Sequence, residues 1–299
     1  MSKESNVLVT GAAGQLGRLV IDALLKTMPA QRVHALVRNA KAAQGLASLG
    51  VTTHVGDYDE PQTLDAAFAG IDRVLLISSN DLGGRLVQHG NVIEAAKRAG
   101  VGLVAYTSLL HADTSTLGLA REHLQTEHVL RESGVPFVVL RNGWYTENYA
   151  ATIPVSVEHG VMLGSAGSGR ISAAARADYA LAAAVVLGDA DVKPGRIYEL
   201  AGDQAFTLAQ FAAEVAKQTK KSVEYRDLPE AEFKAALVQA GLPEPVAVLL
   251  SDSDRGAGEG GLFDEGGELG RLIGRRTTPF AETVALAVAA IGAGAEAGR

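Results

Sequence analysis

Cysteine is absent from this 299-residue chain. That excludes disulfides, thiol catalysis and cysteine-ligated metal or iron–sulfur centres and is compatible with a cytoplasmic setting; no metal site is expected. Long hydrophobic runs are also missing. The longest, near Ala180–Leu187 and Val284–Ile291, fall short of the roughly 20 apolar residues that span a bilayer. No apolar leader precedes the first strand, so no membrane association is expected. No basic patch stands against the net charge of −7, and nucleic acid is not an expected partner. Aromatic residues make up only 5% of the chain, with one tryptophan.

What is present starts with Asn6–Gly17, NVLVTGAAGQLG. Val7–Val9 is an apolar run too short for a free-standing helix and reads as a strand. The turn Gly11-Ala12-Ala13-Gly14-Gln15-Leu16-Gly17 follows, and Arg18–Lys26 has a helical pattern. Strand, glycine turn and helix together turn a glycine motif into a dinucleotide-binding expectation. Gly11 allows the sharp turn, Gly14 lets a pyrophosphate approach the backbone, and Gly17 lets the helix pack closely. The helix N-terminus then directs free N–H groups and its positive dipole end at the phosphates. The spacing G-x-x-G-x-x-G resembles that of the short-chain dehydrogenase/reductase superfamily.

Strands are expected at Arg32–Arg38, Val51–Val55, Arg73–Ser78, Leu103–Ser108 and Pro136–Arg141, alternating with helices up to Glu132. This rhythm predicts an α/β fold with a doubly wound, parallel Rossmann-type sheet. The rhythm breaks after Arg141. The stretch Asn142–Tyr149, NGWYTENY, holds the tryptophan and two of the seven tyrosines. A returning strand is expected at Arg196–Leu200, and mostly helix beyond Phe206. Asp254–Gly267, rich in Gly, Asp and Glu, reads as a loop, and Ala293–Arg299 as a frayed tail. The expected organisation is an NADP-binding domain over 1–150, with 171–202 returning to it. A smaller, mostly helical substrate domain over 203–299 plus 151–170 would close over it.

Several residues carry chemistry at the expected sheet edge. Arg38 comes 21 positions after Gly17. An acidic residue about 20 positions on binds the ribose of NAD, whereas an arginine suits the 2′-phosphate of NADP. The site therefore reads as built for NADPH; the alternative is an exposed strand-end arginine. Asp57 fits the position whose carboxylate takes the adenine amino group, or is an ordinary turn aspartate. Ser78, Ser79 and Asn80 would lie along the ribose and pyrophosphate, and Thr107 and Ser108 close the fifth strand, where short-chain reductases carry an active-site serine, and are expected at the cofactor; all could instead cap strand ends. The usual Tyr-x-x-x-Lys pair of the superfamily is missing, with neither Tyr nor Lys between Leu109 and Glu132. His123 stands where the lysine would be and Leu119 where the tyrosine would be. His123 could hold the nicotinamide ribose hydroxyls, or be a half-exposed helix histidine. His111 and His128 read as surface residues.

The segments GAAGQLG, LLISSN, AYTSLLHADTSTLGLA, LRNGWYTENY, RADYA and YELAGD together resemble the NmrA-like branch of atypical short-chain dehydrogenase/reductases, and within it the bacterial NADPH-dependent quinone oxidoreductases. The resemblance runs from Asn6 to about Ala289. It implies NADPH binding and two-electron reduction of a small aromatic quinone. It also implies that Asn142, Gly143, Trp144 and Tyr145 line the nicotinamide end and that Arg176 contributes near the cofactor; a salt bridge toward Asp178 is the alternative for Arg176. Either a monomer or a homodimer is compatible with the sequence.

The missing tyrosine agrees with that chemistry. Ketone reduction yields an alkoxide about as basic as hydroxide, water having a pKa of about 15.7, and needs a positioned acid. A hydroquinone is phenol-like, with a pKa of about 10 by analogy with tyrosine, and can leave as the anion. Hydride transfer to a quinone then needs alignment and a hydrogen bond to the developing oxyanion. Asn142, Tyr145 and His123 are the candidate catalytic donors, Asn142 first. The alternatives are an NADP-binding redox sensor without turnover and a reductase of other flat acceptors such as triphenylmethane dyes.

Overall fold

The computed structural model describes residues 5–297. In chain order its elements begin with β1 (Val7–Val9), α1 (Gln15–Leu24), β2 (Val33–Val37), α2 (Ala40–Ala47), β3 (Thr52–Val55), α3 (Leu64–Phe68), β4 (Arg73–Leu76) and α4 (Arg85–Ala99). They continue with β5 (Leu103–Leu109), α5 (Ala120–Ser133), β6 (Phe137–Asn142), α6 (Thr146–Ala150), α7 (Ile153–His159), β7 (Val161–Gly164), α8 (Arg176–Gly188) and β8 (Ile197–Leu200). The remainder is α9 (Leu208–Thr219), β9 (Glu224–Asp227), α10 (Glu230–Gln239), α11 (Glu244–Gly258), α12 (Glu268–Ile273) and α13 (Phe280–Ala297).

The chain forms two compact units. The first comprises Met1–Ala112, Glu122–Asn142 and Ala177–Glu199; the second Asp113–Arg121, Gly143–Arg176 and Leu200–Arg299. The seven-stranded sheet has the order β3-β2-β1-β4-β5-β6-β8, and β1 to β6 pair in parallel. The order reverses between β1 and β4, which creates the crevice at the strands' carboxyl ends where such sheets bind ligands. β1 and β5 are buried throughout, as strands covered on both faces must be. The core beside them includes Leu8, Leu36, Phe68, Leu76, Ile93, Leu130, Val139 and one phenol, Tyr106.

In the second unit β7 and β9 pair in parallel, with Val161 opposite Glu224. Both strands are short and half-exposed, and the sequence reading passed over them. Four rings form the apolar centre: Tyr149, Phe206, Phe211 and Phe280, with the closest centroids, those of Phe206 and Phe280, 4.6 Å apart.

Two expectations are corrected. Asp254–Gly267 is not a loop throughout, because α11 runs through Asp254 to Gly258. Its glycines serve close packing rather than flexibility. A Cβ on Gly256 would lie 2.9 Å from Leu117, and one on Gly261 2.5 Å from it. The tail read as frayed from Ala293 is helical to Ala297. Its last two residues, and residues 1–4 ahead of the first strand, lie outside the described ones.

Candidate active site

The first unit gathers the glycine turn, Arg38, Asp57, Ser78, Thr107, His123 and Asn142. At the switch point Thr10, fully buried, ties β1 to β4. Its N–H and hydroxyl reach the Leu75 carbonyl, both at 3.0 Å, and its oxygen accepts the Ile77 N–H at 3.0 Å. The Tyr58 hydroxyl donates to Thr10 as well. Gly11 then adopts a positive φ of 57°. Gly17 permits a close approach: a Cβ there would sit 2.4 Å from the Gly11 carbonyl oxygen and 2.8 Å from the Ala12 Cα. Helix α1 thus rests directly on the turn that starts it. Ala12 and Leu16 point into the core, while Gly11, Ala13, Gly14 and Gln15 are exposed. The first turn of α1 has neither a side-chain cap nor an acidic residue. Its free N–H groups and dipole fit an anion such as a pyrophosphate, and Gly17 leaves no room for a side chain behind them.

Arg38 follows β2, exposed, and its side chain makes no hydrogen bond or ion pair among the described residues. Next to it, Gly56 N–H donates to the Val37 carbonyl, bringing Asp57 to the same edge. Asp57 does form the turn that was the alternative reading, its Oδ1 accepting the Asp59 N–H at 3.1 Å.

Three hydroxyls expected at the cofactor make hydrogen bonds within the first unit. Ser79 donates to Gln88 Oε1 and accepts from the Asp81 N–H at 3.0 Å; its backbone N–H and carbonyl engage His89 and Arg85, each at 2.9 Å. Thr107 accepts the Ser78 N–H at 2.9 Å. Ser108 donates to Glu127 at 2.6 Å. Among the described residues, the Ser78 hydroxyl and the Asn80 side chain make no such bonds.

His123 is corrected too. It is not half-exposed: only 4% of it is accessible, and its Nδ1 lies 2.8 Å from the Tyr106 hydroxyl. Burial, then Arg85 and His89, hold its pKa well below the usual 6.5, so it is a neutral imidazole. Leu119 precedes α5 rather than lying on it.

Asn142 ends β6, buried, with its side-chain oxygen lacking any hydrogen-bond partner among the described residues. A buried acceptor left unpaired costs about 1–3 kcal/mol and calls for a donor. Two further unpaired buried groups, the Thr146 and Tyr149 hydroxyls, lie on the same NGWYTENY stretch, within the second unit.

In that unit Gly143 donates to the Leu200 carbonyl at 2.7 Å, and the Trp144 carbonyl accepts the Ala174 N–H at 3.2 Å. Arg176 does not turn to Asp178. Its guanidinium stacks over the Tyr145 ring, 4.7 Å from the centroid, and reaches Asn148 at 3.3 Å. Glu147 caps the Arg176 N–H at 2.9 and 3.0 Å. Arg176 therefore orients Tyr145.

Sequence reasoning missed His111, which is half-buried, has a positive φ of 52° and donates its N–H to Glu199 at 2.9 Å. It also missed Tyr106 and His89. A tyrosine directly after the apolar run Leu103–Ala105 of β5 was the available signal for Tyr106. Among the described residues, no group of three or more His, Cys, Asp or Glu could hold a metal, and no helix is long and apolar enough to cross a membrane.

The model of the NmrA-like family matches residues 3–283. The chain belongs to the NmrA-like family. One relative, quinone oxidoreductase 2 of Escherichia coli (strain K12), is 54% identical over 93% of this chain and 97% of its own length. The crystal structure of the NADPH-dependent quinone oxidoreductase QOR2 from E. coli complexed with NADPH superposes with a TM-score of 0.90, covering 93% of this chain and 98% of that one. The Citrobacter sp. triphenylmethane reductase complexed with NADP(H) matches with a TM-score of 0.89 at 38% identity, covering 94% and 99%. The seven-stranded Rossmann-type sheet of this chain is the fold these structures share.

Proposed function

We propose that this protein is an NADPH-dependent quinone reductase that gives the hydroquinone in one two-electron step. The observation that carries this reading is the 54% identity, across nearly the whole of both chains, with a quinone oxidoreductase. The residues fit it. The glycine turn and the uncapped start of α1 would hold the pyrophosphate. Arg38 would pair with the 2′-phosphate and Asp57 with the adenine amino group. Ser78 and Asn80 would follow the ribose and pyrophosphate, and Gly143, Trp144 and Tyr145, with Arg176 behind the tyrosine ring, would form the nicotinamide end.

Bound NADPH supplies the hydride. The chain's own part is alignment and stabilisation of charge. Asn142 can offer its amide N–H groups to an oxyanion, while its unpaired oxygen takes a donor such as a carboxamide. Tyr145 and His123 are the supporting donors. Leu119 provides no acid, so the hydroquinone leaves as its anion or takes a proton from water.

The test is to incubate the purified protein with NADPH and a small benzoquinone and follow the reduced-nicotinamide absorbance, with a simple ketone and a triphenylmethane dye in parallel. Rapid loss with the quinone and little with the ketone is expected. Tight NADPH binding without oxidation by any of several quinones would instead point to a redox sensor, and preferential turnover of the dye to a dye reductase.

A further inference from the structure

A line of hydrogen bonds crosses the interior of the first unit from Ser79 to Thr126, and Tyr106 and His123 stand beside it. The Ser79 N–H donates to His89 Nε2 at 2.9 Å. A peptide N–H can only donate, so this nitrogen keeps its lone pair and the proton of His89 sits on Nδ1. That nitrogen lies 2.9 Å from Thr126 Oγ1, which accepts there and donates its own proton to the Glu122 carbonyl at 3.1 Å. His89 stays neutral, burial and then Arg85 pushing its pKa down to about 3.

Tyr106 is fully buried, with its ring edge-on to His89 at 5.3 Å and its hydroxyl 2.8 Å from His123 Nδ1. A buried hydroxyl must place its proton on an acceptor. Thr126 already receives His89, and a neutral imidazole nitrogen is the stronger base of the two. The proton therefore goes to His123.

We propose that Tyr106 is a positioning residue: its hydroxyl donates to His123 Nδ1 and holds His123 in the tautomer with the proton on Nε2, so that the imidazole offers one fixed N–H donor. This rests on the reductase reading above, in which that N–H serves the cofactor ribose or the developing oxyanion. A lysine at this place would offer a mobile cation; the tyrosine–histidine pair offers a neutral donor of fixed direction.

Imidazole nitrogen shifts of the full-length protein labelled with ¹⁵N-histidine test the tautomer, with His123→Gln identifying the signal. Protonated Nε2 and bare Nδ1 are expected at His123; a protonated Nδ1 overturns the proposal. Tyr106→Phe keeps the ring and should move both nitrogens toward the average of the two tautomers. It should lower turnover with NADPH and quinone by about 3- to 10-fold, the size of one lost hydrogen bond. In a His123→Ala background the same change should cost nothing further; an equal loss there would make Tyr106 merely structural. Wild-type protein without any quinone turnover would sink the reductase reading, while the nitrogen shifts still decide the tautomer.

Discussion

Glu127 and Arg141 meet as a two-pronged ion pair, Nε to Oε1 and Nη2 to Oε2, both at 2.9 Å. Glu127 is completely buried and Arg141 only 2% exposed. The same carboxylate accepts from Ser108 at 2.6 Å and Arg131 at 3.0 Å, and Arg141 reaches Glu199 at 2.8 Å. The pair fastens α5 to β5 and β6 one residue before Asn142. Removing one partner of a buried pair strands the other charge, at about 3–5 kcal/mol. Glu127→Leu is expected to lose about that much in urea denaturation, and Glu127→Leu with Arg141→Met to lose less. A larger loss in the double variant, equal to the sum of the two single losses, would mean that the charges are not coupled.

Arg38 should decide between the cofactors. Arg38→Glu is expected to weaken NADPH binding by about 10- to 100-fold, as for one or two charge-assisted hydrogen bonds, and to leave NADH within about threefold. Calorimetric titration of both cofactors gives the ratio. Equal weakening would make the arginine structural.

Asn142→Ala should be the most harmful of the three donor changes. Loss of a donor facing developing charge costs up to about 10²–10³-fold in turnover. Tyr145→Phe and His123→Ala should cost less, because a hydroquinone anion needs no obligatory acid. Steady-state rates with benzoquinone rank the three; a larger effect of His123→Ala would expose a proton donor.

Asp254 should make stability depend on pH. It is buried on α11 with the Ser165 N–H at 3.1 Å, and burial pushes its pKa from 3.8 up to about 6. A raised folded-state pKa means the folded protein binds this proton more tightly than the unfolded chain. Its contribution is complete below pH 3.8 and is lost as pH rises through about 6. The shift corresponds to up to about 3 kcal/mol. Asp254→Asn, which keeps an acceptor for Ser165, should melt higher than wild type at pH 8 and alike near pH 4. Parallel melting curves across that range would exclude the effect.

The alternation of buried strands and amphipathic helices made the seven-stranded sheet legible, because parallel strands covered on both faces are apolar almost without interruption. The glycine turn was legible for the same kind of reason: Gly17 sits where the Gly11 carbonyl leaves no space for a side chain. Which hydroxyl faces outward was not legible. Ser79, Thr107 and Ser108 sit at strand ends, yet their orientations depend on Gln88, on Ser78 and on Glu127. Glycine density also misled at 254–258, where the missing side chains make room for Leu117 and Ala166 rather than for motion.

Arg85, Gln88 and His89 lie on one face of α4, and together with Asp81 they hold every hydrogen-bonding group of Ser79. The rim after β4 is therefore cast when α4 folds, and a ligand meets it already set. Association loses no ordering entropy there. Amide exchange at Ser79 should follow the opening of α4 rather than local fraying of a loop, which makes that single N–H a reporter for the helix behind it.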